Sequence, residues 1–137
     1  DIEKQNESRK RNAKLYFQYI SNPNITLLPN ELIETSSWHL FPLRLKNKDE
    51  AYELVQFLRG HQIGSSNIYY EKSMGMEPAL DGVKGERQIA DSLAGKVVCI
   101  PITPFLTLDD IKFISAAVNK FKNIEIEKEH ETRPQLQ

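Results

Sequence analysis

Apolar and polar positions alternate in helical steps over three stretches of the chain. The clearest is the last: Leu108, Ile111, Ile114, Ala117, Val118 and Phe121 recur at three- and four-residue intervals and predict one inward helical stripe. Thr107 is placed to accept a hydrogen bond from the N–H of Asp110, and Asp109 and Asp110 suit the positive first turn. Immediately upstream, Val97-Val98-Cys99-Ile100 is a short continuous apolar run, the pattern of a strand buried on both faces. Pro101 and Pro104 stop it, because proline offers no N–H to a ladder. Strand, proline turn and capped helix form one unit, with the helix expected to cover the strand and Phe113 expected at the edge of the stripe.

Two more helices follow from the same spacing. Asp1 to Ile20 carries Ala13, Tyr16, Phe17 and Ile20 on one face, while its first ten positions are nearly all polar. That end reads either as a helix crossing from another domain or as a solvated end. Asn47 to Gly60 has the Asn47/Glu50 spacing of a capping box, an inward stripe of Ala51, Leu54, Val55 and Leu58, and Gly60 placed for a left-handed cap. A shorter helix is expected over Glu86 to Ala94, with Ile89, Ala90 and Leu93 inward and Gly95 closing it. Strands are expected at Ile25 to Leu28, Trp38 to Leu45, Asn67 to Tyr70 and Ile124 to Glu127. Pro42 places the second of these at an edge or a bulge. Glu71 to Gly85 has no period and reads as a loop.

The order predicts an α+β fold: a mixed or antiparallel sheet of about three to five strands with helices packed on it. At 137 residues, the chain suits one domain. We place it at residues 1–127, with 1–20 as a connecting helix and a disordered tail over 128–137. A net charge of −1 leaves no broad electrostatic footprint for nucleic acid or an anionic membrane. No apolar run approaches a membrane span. Cys99 is the single cysteine, so an intrachain disulfide is excluded; its apolar neighbours predict burial, and a cytoplasmic setting fits. The chain opens on Asp1 rather than Met, which reads as a processed product or a fragment.

Reactive constellations are missing from the pattern. No cysteine or histidine pair has metal spacing, no glycine-rich loop follows a strand, and no nucleophile elbow is present. His39 has no sequence-adjacent partner and reads as a surface or structural residue. Lys14, Lys72, Lys84 and Lys96 read as surface lysines.

Five ordered segments carry a resemblance. They are Arg11-Asn12-Ala13 with Tyr16 and Ile20, Trp38-His39-Leu40-Phe41, Ile63-Gly64-Ser65, Met76-Glu77-Pro78-Ala79, and Val98-Cys99-Ile100-Pro101-Ile102-Thr103-Pro104-Phe105-Leu106-Thr107. Together the chain resembles the C-terminal small domain of the DegT/DnrJ/StrS family of pyridoxal-phosphate-dependent sugar aminotransferases. The resemblance implies amino transfer from an amino-acid donor to a nucleotide-linked keto sugar. It implies a homodimeric parent that holds the cofactor and its Schiff-base lysine in a large N-terminal domain, leaving no catalytic, cofactor or metal residue in this stretch. Substrate contact is expected from Asn67, Tyr69 and Tyr70. The family often has His-Tyr-Pro on that strand, where this chain has Ile68-Tyr69-Tyr70. Ile68 therefore motivates an alternative, a non-catalytic homologue serving as a binding or regulatory module.

Overall fold

Alternation of side chains along two short strands divides this molecule into a buried face and a second, more open one. The computed structural model describes residues 1–66, 71–80, 85 and 87–123. Among them the elements run α1 (Ile2–Tyr19), β1 (Phe41–Arg44), α2 (Lys48–Gly60), α3 (Gln88–Leu93), β2 (Val97–Ile100) and α4 (Leu108–Lys120), with 3-10 turns at Asn30–Leu32, Met74–Met76 and Pro78–Leu80. β1 and β2 pair antiparallel, Phe41 opposite Ile100 and Leu43 opposite Val98. These four side chains are buried against the helices. Pro42 opposite Cys99 and Arg44 opposite Val97 take the other face.

Single bridges extend the pair on both sides. Thr26 and Arg44 exchange backbone bonds of 2.9 and 3.0 Å, and Ser66 and Cys99 exchange bonds of 3.1 and 2.9 Å. Among the described residues the sheet has two antiparallel ladder strands, and the expected Ile25–Leu28 strand is reduced to the bridge at Thr26. Pro42 shares the parity of Arg44, whose N–H points to Thr26 rather than to β2. Its missing donor therefore removes nothing from the β1–β2 ladder. β1 starts only at Phe41, because Trp38 has a φ of 50°. The segments expected as strands at 67–70 and 124–127, and the tail from 128, lie outside the described residues.

The core joins Tyr16 of α1, Trp38, Phe41, Leu43, Leu54 and Leu58 of α2, Val98, and Ile111 and Val118 of α4. Cys99 is buried, as its neighbours predict. α4 was expected over β2; its closest packing is instead against α1, and α2 is the helix nearest β2. Ile111 and Ile114 are buried and Phe113 is exposed, as the stripe predicts. Leu108 is not: as the first residue of the helix it projects beyond the packed turn and is 46% exposed.

Helix ends follow local chemistry, with two corrections. Thr107 and Asp110 form a reciprocal capping box on α4. On α2 the Asn47 side chain accepts from the Glu50 N–H at 2.8 Å. Gly60 is not its left-handed cap. The Ile63 N–H bonds the Leu58 carbonyl and the Gln62 N–H bonds the Arg59 carbonyl, a Schellman closure that puts Gln62 at φ 60° and buries Ile63 behind it. α3 is shorter than expected and buries none of its residues; Ile89 and Ala90 are exposed and Leu93 is half-buried. Gly95 does close it, at φ +75°, where a Cβ would come within 2.8 Å of the Lys48 side chain. No helix among the described residues is long and apolar enough to cross a membrane.

Candidate functional site

Asn67, Tyr69 and Tyr70, the residues expected to touch substrate, lie outside the described residues, as do Ile68 and Lys84. The chain on either side of the first segment is anchored. Ser66 is held to β2 by its two backbone bonds with Cys99. After Glu71 and Lys72, which are exposed, Ser73 is buried and its hydroxyl donates a short hydrogen bond to the Asp91 carboxylate of α3. Met76-Glu77-Pro78-Ala79 then spans two successive 3-10 turns, with Met74 and Met76 exposed.

Three of the segments that carry the resemblance, around Arg11, Trp38 and Pro101, meet one another. Along one side of α1, Arg11, Asn12 and Tyr16 each reach a carbonyl of the proline turn that follows β2. Asn12 is fully buried and donates from Nδ2 to the Thr103 carbonyl at 2.9 Å. Its Oδ1 accepts from Arg11, whose Nη2 also donates to the Leu106 carbonyl at 3.3 Å. The Tyr16 hydroxyl donates to the Pro101 carbonyl at 2.6 Å. Burial, with a smaller contribution from the Asp110 charge, pushes the Tyr16 phenol far up, so it stays protonated and serves as a fixed donor. Pro101 and Pro104 interrupt the regular pairing that would otherwise use these carbonyls, and α1 supplies the donors. Trp38 and Phe41 complete the cluster, stacked at 5.5 Å and packed edge-on against Phe17. These residues build a scaffold rather than a reactive centre.

Asparagines clamp the opposite end of the same two helices. Asn22 is buried and donates to the Val118 and Phe121 carbonyls at 2.8 and 2.7 Å. Asn119 accepts from the Ser21 N–H at 2.8 Å and donates to the Tyr19 carbonyl at 2.8 Å. Each helix thereby satisfies carbonyls that the other leaves open at its C-terminal end. Sequence reasoning missed all of these contacts, because turn chemistry around Asn22 gives no sign of a partner almost a hundred residues away.

The described histidines and lysines supply no reactive group. His39 is exposed, and His61 Nδ1 lies 2.9 Å from the Phe57 carbonyl within its own helix end. Lys14 pairs with Glu34 at 2.6 Å, Lys72 is exposed and Lys96 is half-buried. No lysine among the described residues is buried. A Schiff-base lysine needs a cradled, desolvated setting, so the described residues do not fit pyridoxal phosphate by themselves. No metal-holding group of His, Cys, Asp or Glu occurs among them.

Surface concavities among the described residues flank the outer side of the sheet. Leu28, Pro42, Leu93 and Val97 line shallow apolar hollows on the outer face of the sheet, next to Ala90 and Ala94. A more polar cleft of about 580 Å³ lies at the Thr26 side of the sheet, lined by Arg44, Lys46, Lys96, Glu50 and neighbouring polar groups.

Comparison with known proteins places this architecture. Residues 1–119 match the pattern of the DegT/DnrJ/EryC1/StrS aminotransferase family. A dTDP-3-amino-3,6-dideoxy-alpha-D-galactopyranose transaminase of Aneurinibacillus thermoaerophilus is 26% identical over 121 residues, 88% of this chain and 32% of that protein. The erythromycin biosynthesis sensory transduction protein EryC1 of Saccharopolyspora erythraea is 31% identical over 99 residues, 70% of this chain and 26% of its own length. The crystal structure of S. venezuelae DesV in complex with a ketimine intermediate superposes with a TM-score of 0.69 at 26% identity, over 85% of this chain and 31% of that one. The chain therefore spans between about a quarter and a third of the length of these relatives. With the pattern matched over most of its length, the chain belongs to the DegT/DnrJ/EryC1/StrS aminotransferase family.

Proposed function

We propose that this chain is the C-terminal small domain of a pyridoxal-phosphate-dependent aminotransferase that moves an amino group from an amino-acid donor to a nucleotide-linked keto sugar. The observation that carries this reading is the family match over residues 1–119 combined with coverage of only about a third of the relatives. The cofactor and its lysine belong, in this proposal, to a large domain preceding the region matched here, in a cytoplasmic homodimer. The small domain's own part is to present Asn67, Tyr69 and Tyr70 to the substrate, from a segment flanked by the anchors at Ser66 and Ser73. A tyrosine hydroxyl there would orient the sugar by a hydrogen bond. The apolar outer face of the sheet, with α3 beside it, would take the covering contact from the large domain. Ile68, where a histidine is common, favours one second reading, a non-catalytic homologue that keeps the domain as a binding module.

Borohydride treatment of the full-length protein loaded with pyridoxal phosphate tests the proposal. A pyridoxyl adduct on one lysine upstream of Asp1 is expected. An adduct on a specific lysine of residues 1–137 would overturn it, and no adduct anywhere would favour the binding module. Tyr69→Phe should then raise KM for the sugar while leaving cofactor content unchanged. Unchanged steady-state kinetics would remove Tyr69 from the site.

A further inference from the structure

We infer that Ser73 and Asp91 form a positioning clasp for the stretch between Ser66 and Ser73, the stretch that the proposed function assigns to substrate. The consequence for substrate rests on that reading; the clasp itself rests on geometry. β2 frames both ends of the stretch. At one end Ser66 exchanges backbone bonds of 3.1 and 2.9 Å with Cys99 of β2. At the other, the Ser73 hydroxyl donates to the Asp91 carboxylate of α3. A tight turn joins α3 to β2: the Lys96 N–H bonds the Leu93 carbonyl at 3.0 Å, and Gly95 takes a φ of +75°. Both ends are thus referred to one strand, directly through Cys99 and by way of α3 through Asp91.

Three observations separate the clasp from an incidental surface contact. Ser73 is buried, so its hydroxyl needs a partner in place of water, and a carboxylate acceptor makes the bond a charge-assisted one. Among the described residues it is the one side-chain hydrogen bond that ties 71–80 to another element. The Ser73 carbonyl also accepts from the Met76 N–H at 3.0 Å, so the anchored residue starts the turn at Met74–Met76, which packs on α3. α3 itself buries none of its six residues; what it contributes is the place of Asp91. The alternative is that Asp91 serves α3 alone, since a carboxylate is favourable in a first helical turn. Yet Arg87 makes no side-chain cap bond at that end, and the Asp91 carboxylate is turned to Ser73. Without the clasp, the next helix or strand among the described residues starts at Gln88, which makes the run from Ser66 roughly three times longer. Closure probability falls as about the −3/2 power of loop length, so the stretch would be held in place about fivefold less often.

Backbone order parameters of the isotopically labelled chain test the clasp. Amides from Ser66 to Ser73 should lie near the rigid value of about 0.85 and fall below about 0.6 in Ser73→Ala and in Asp91→Ala. The double variant S73A/D91A should lose no more than either single change, because the two side chains act as one contact. Ser73→Thr keeps the hydroxyl and should restore the wild-type values. Unchanged order in α4, from Ile111 to Lys120, shows that each variant folds. The measurement needs no cofactor, amino donor or sugar, so its failure is distinct from failure of the borohydride test of the aminotransferase reading. Wild-type values already below about 0.6 would overturn the clasp. So would Ser73→Ala leaving the stretch ordered, or Asp91→Ala loosening only Gln88 to Leu93.

Discussion

α3 and α4 carry the same kind of apolar spacing and meet opposite fates. α4 is capped at Thr107 by a reciprocal box and buries Ile111, Ile114, Ala117 and Val118. α3 spans six residues from an Arg87 that makes no capping bond, and Ile89 is 78% exposed. The difference is in the partners. α4 runs beside α1: Arg11 of α1 donates to the Leu106 carbonyl just before it, and Asn22, just past α1, donates to the Val118 and Phe121 carbonyls at its C-terminal end. α3 is held through Ser73–Asp91 and the Gly95 turn, and its apolar side faces outward beside Leu28, Pro42 and Val97. Periodicity announces that a face will be covered; it does not say that the cover lies within the same stretch of chain.

The largest expected effect separates the two helices directly. Ile114→Ala should lose roughly 2–5 kcal/mol in chemical denaturation, as a core cavity does, whereas Ile89→Ala should stay within about 0.5 kcal/mol. A loss below about 1 kcal/mol at Ile114 would make it a surface position and erase the contrast. The asparagine clamp comes next. Asn22→Ala removes the donor for two carbonyls at the end of α4 and should cost roughly 1–3 kcal/mol. A neutral result would mean that water replaces the side chain without penalty.

Much of this contrast was open to sequence reasoning. Thr107, the α4 stripe, the end of β2 at Pro101 and the α2 start at Asn47 all depend on contacts within a few residues. The long-range bonds from Asn12, Asn22 and Asn119 bridge more than ninety residues, and local patterns hold no trace of them. Gln62 replaced Gly60 as the left-handed cap because burial of Ile63 fixed where the helix closed. Ile89 and Ala90 were read as inward because the pattern cannot tell a packed face from a waiting one. The five segments behind the family resemblance were legible, and three of them proved to be one scaffold. The expectation of substrate contact from Asn67, Tyr69 and Tyr70 rests on that resemblance, and these residues lie outside the described ones.

Smaller effects sharpen the α4 side. Thr107→Ala should cost about 1 kcal/mol, the usual worth of a cap. It should also change the acid limb of stability. The Thr107 hydroxyl and then its backbone N–H donate to the Asp110 carboxylate and hold its pKa below the ordinary 3.8. A lowered folded pKa gives stability that is fully present above the unfolded value and lost as pH falls through the folded one. Wild-type stability should therefore fall below about pH 4 more steeply than that of T107A. Parallel acid profiles for the two proteins would remove the carboxylate from the cap.

Hydrogen exchange on the 137-residue chain tests the central contrast most directly, because it reads each helix in one experiment. Amides from Ile111 to Lys120 of α4 should exchange at or near the rate set by global unfolding. Those of α3, from Gln88 to Leu93, should exchange orders of magnitude faster, through local opening of a helix with no buried side chain. Equal protection in α3 and α4 would contradict the account and mean that the outer face is already complete.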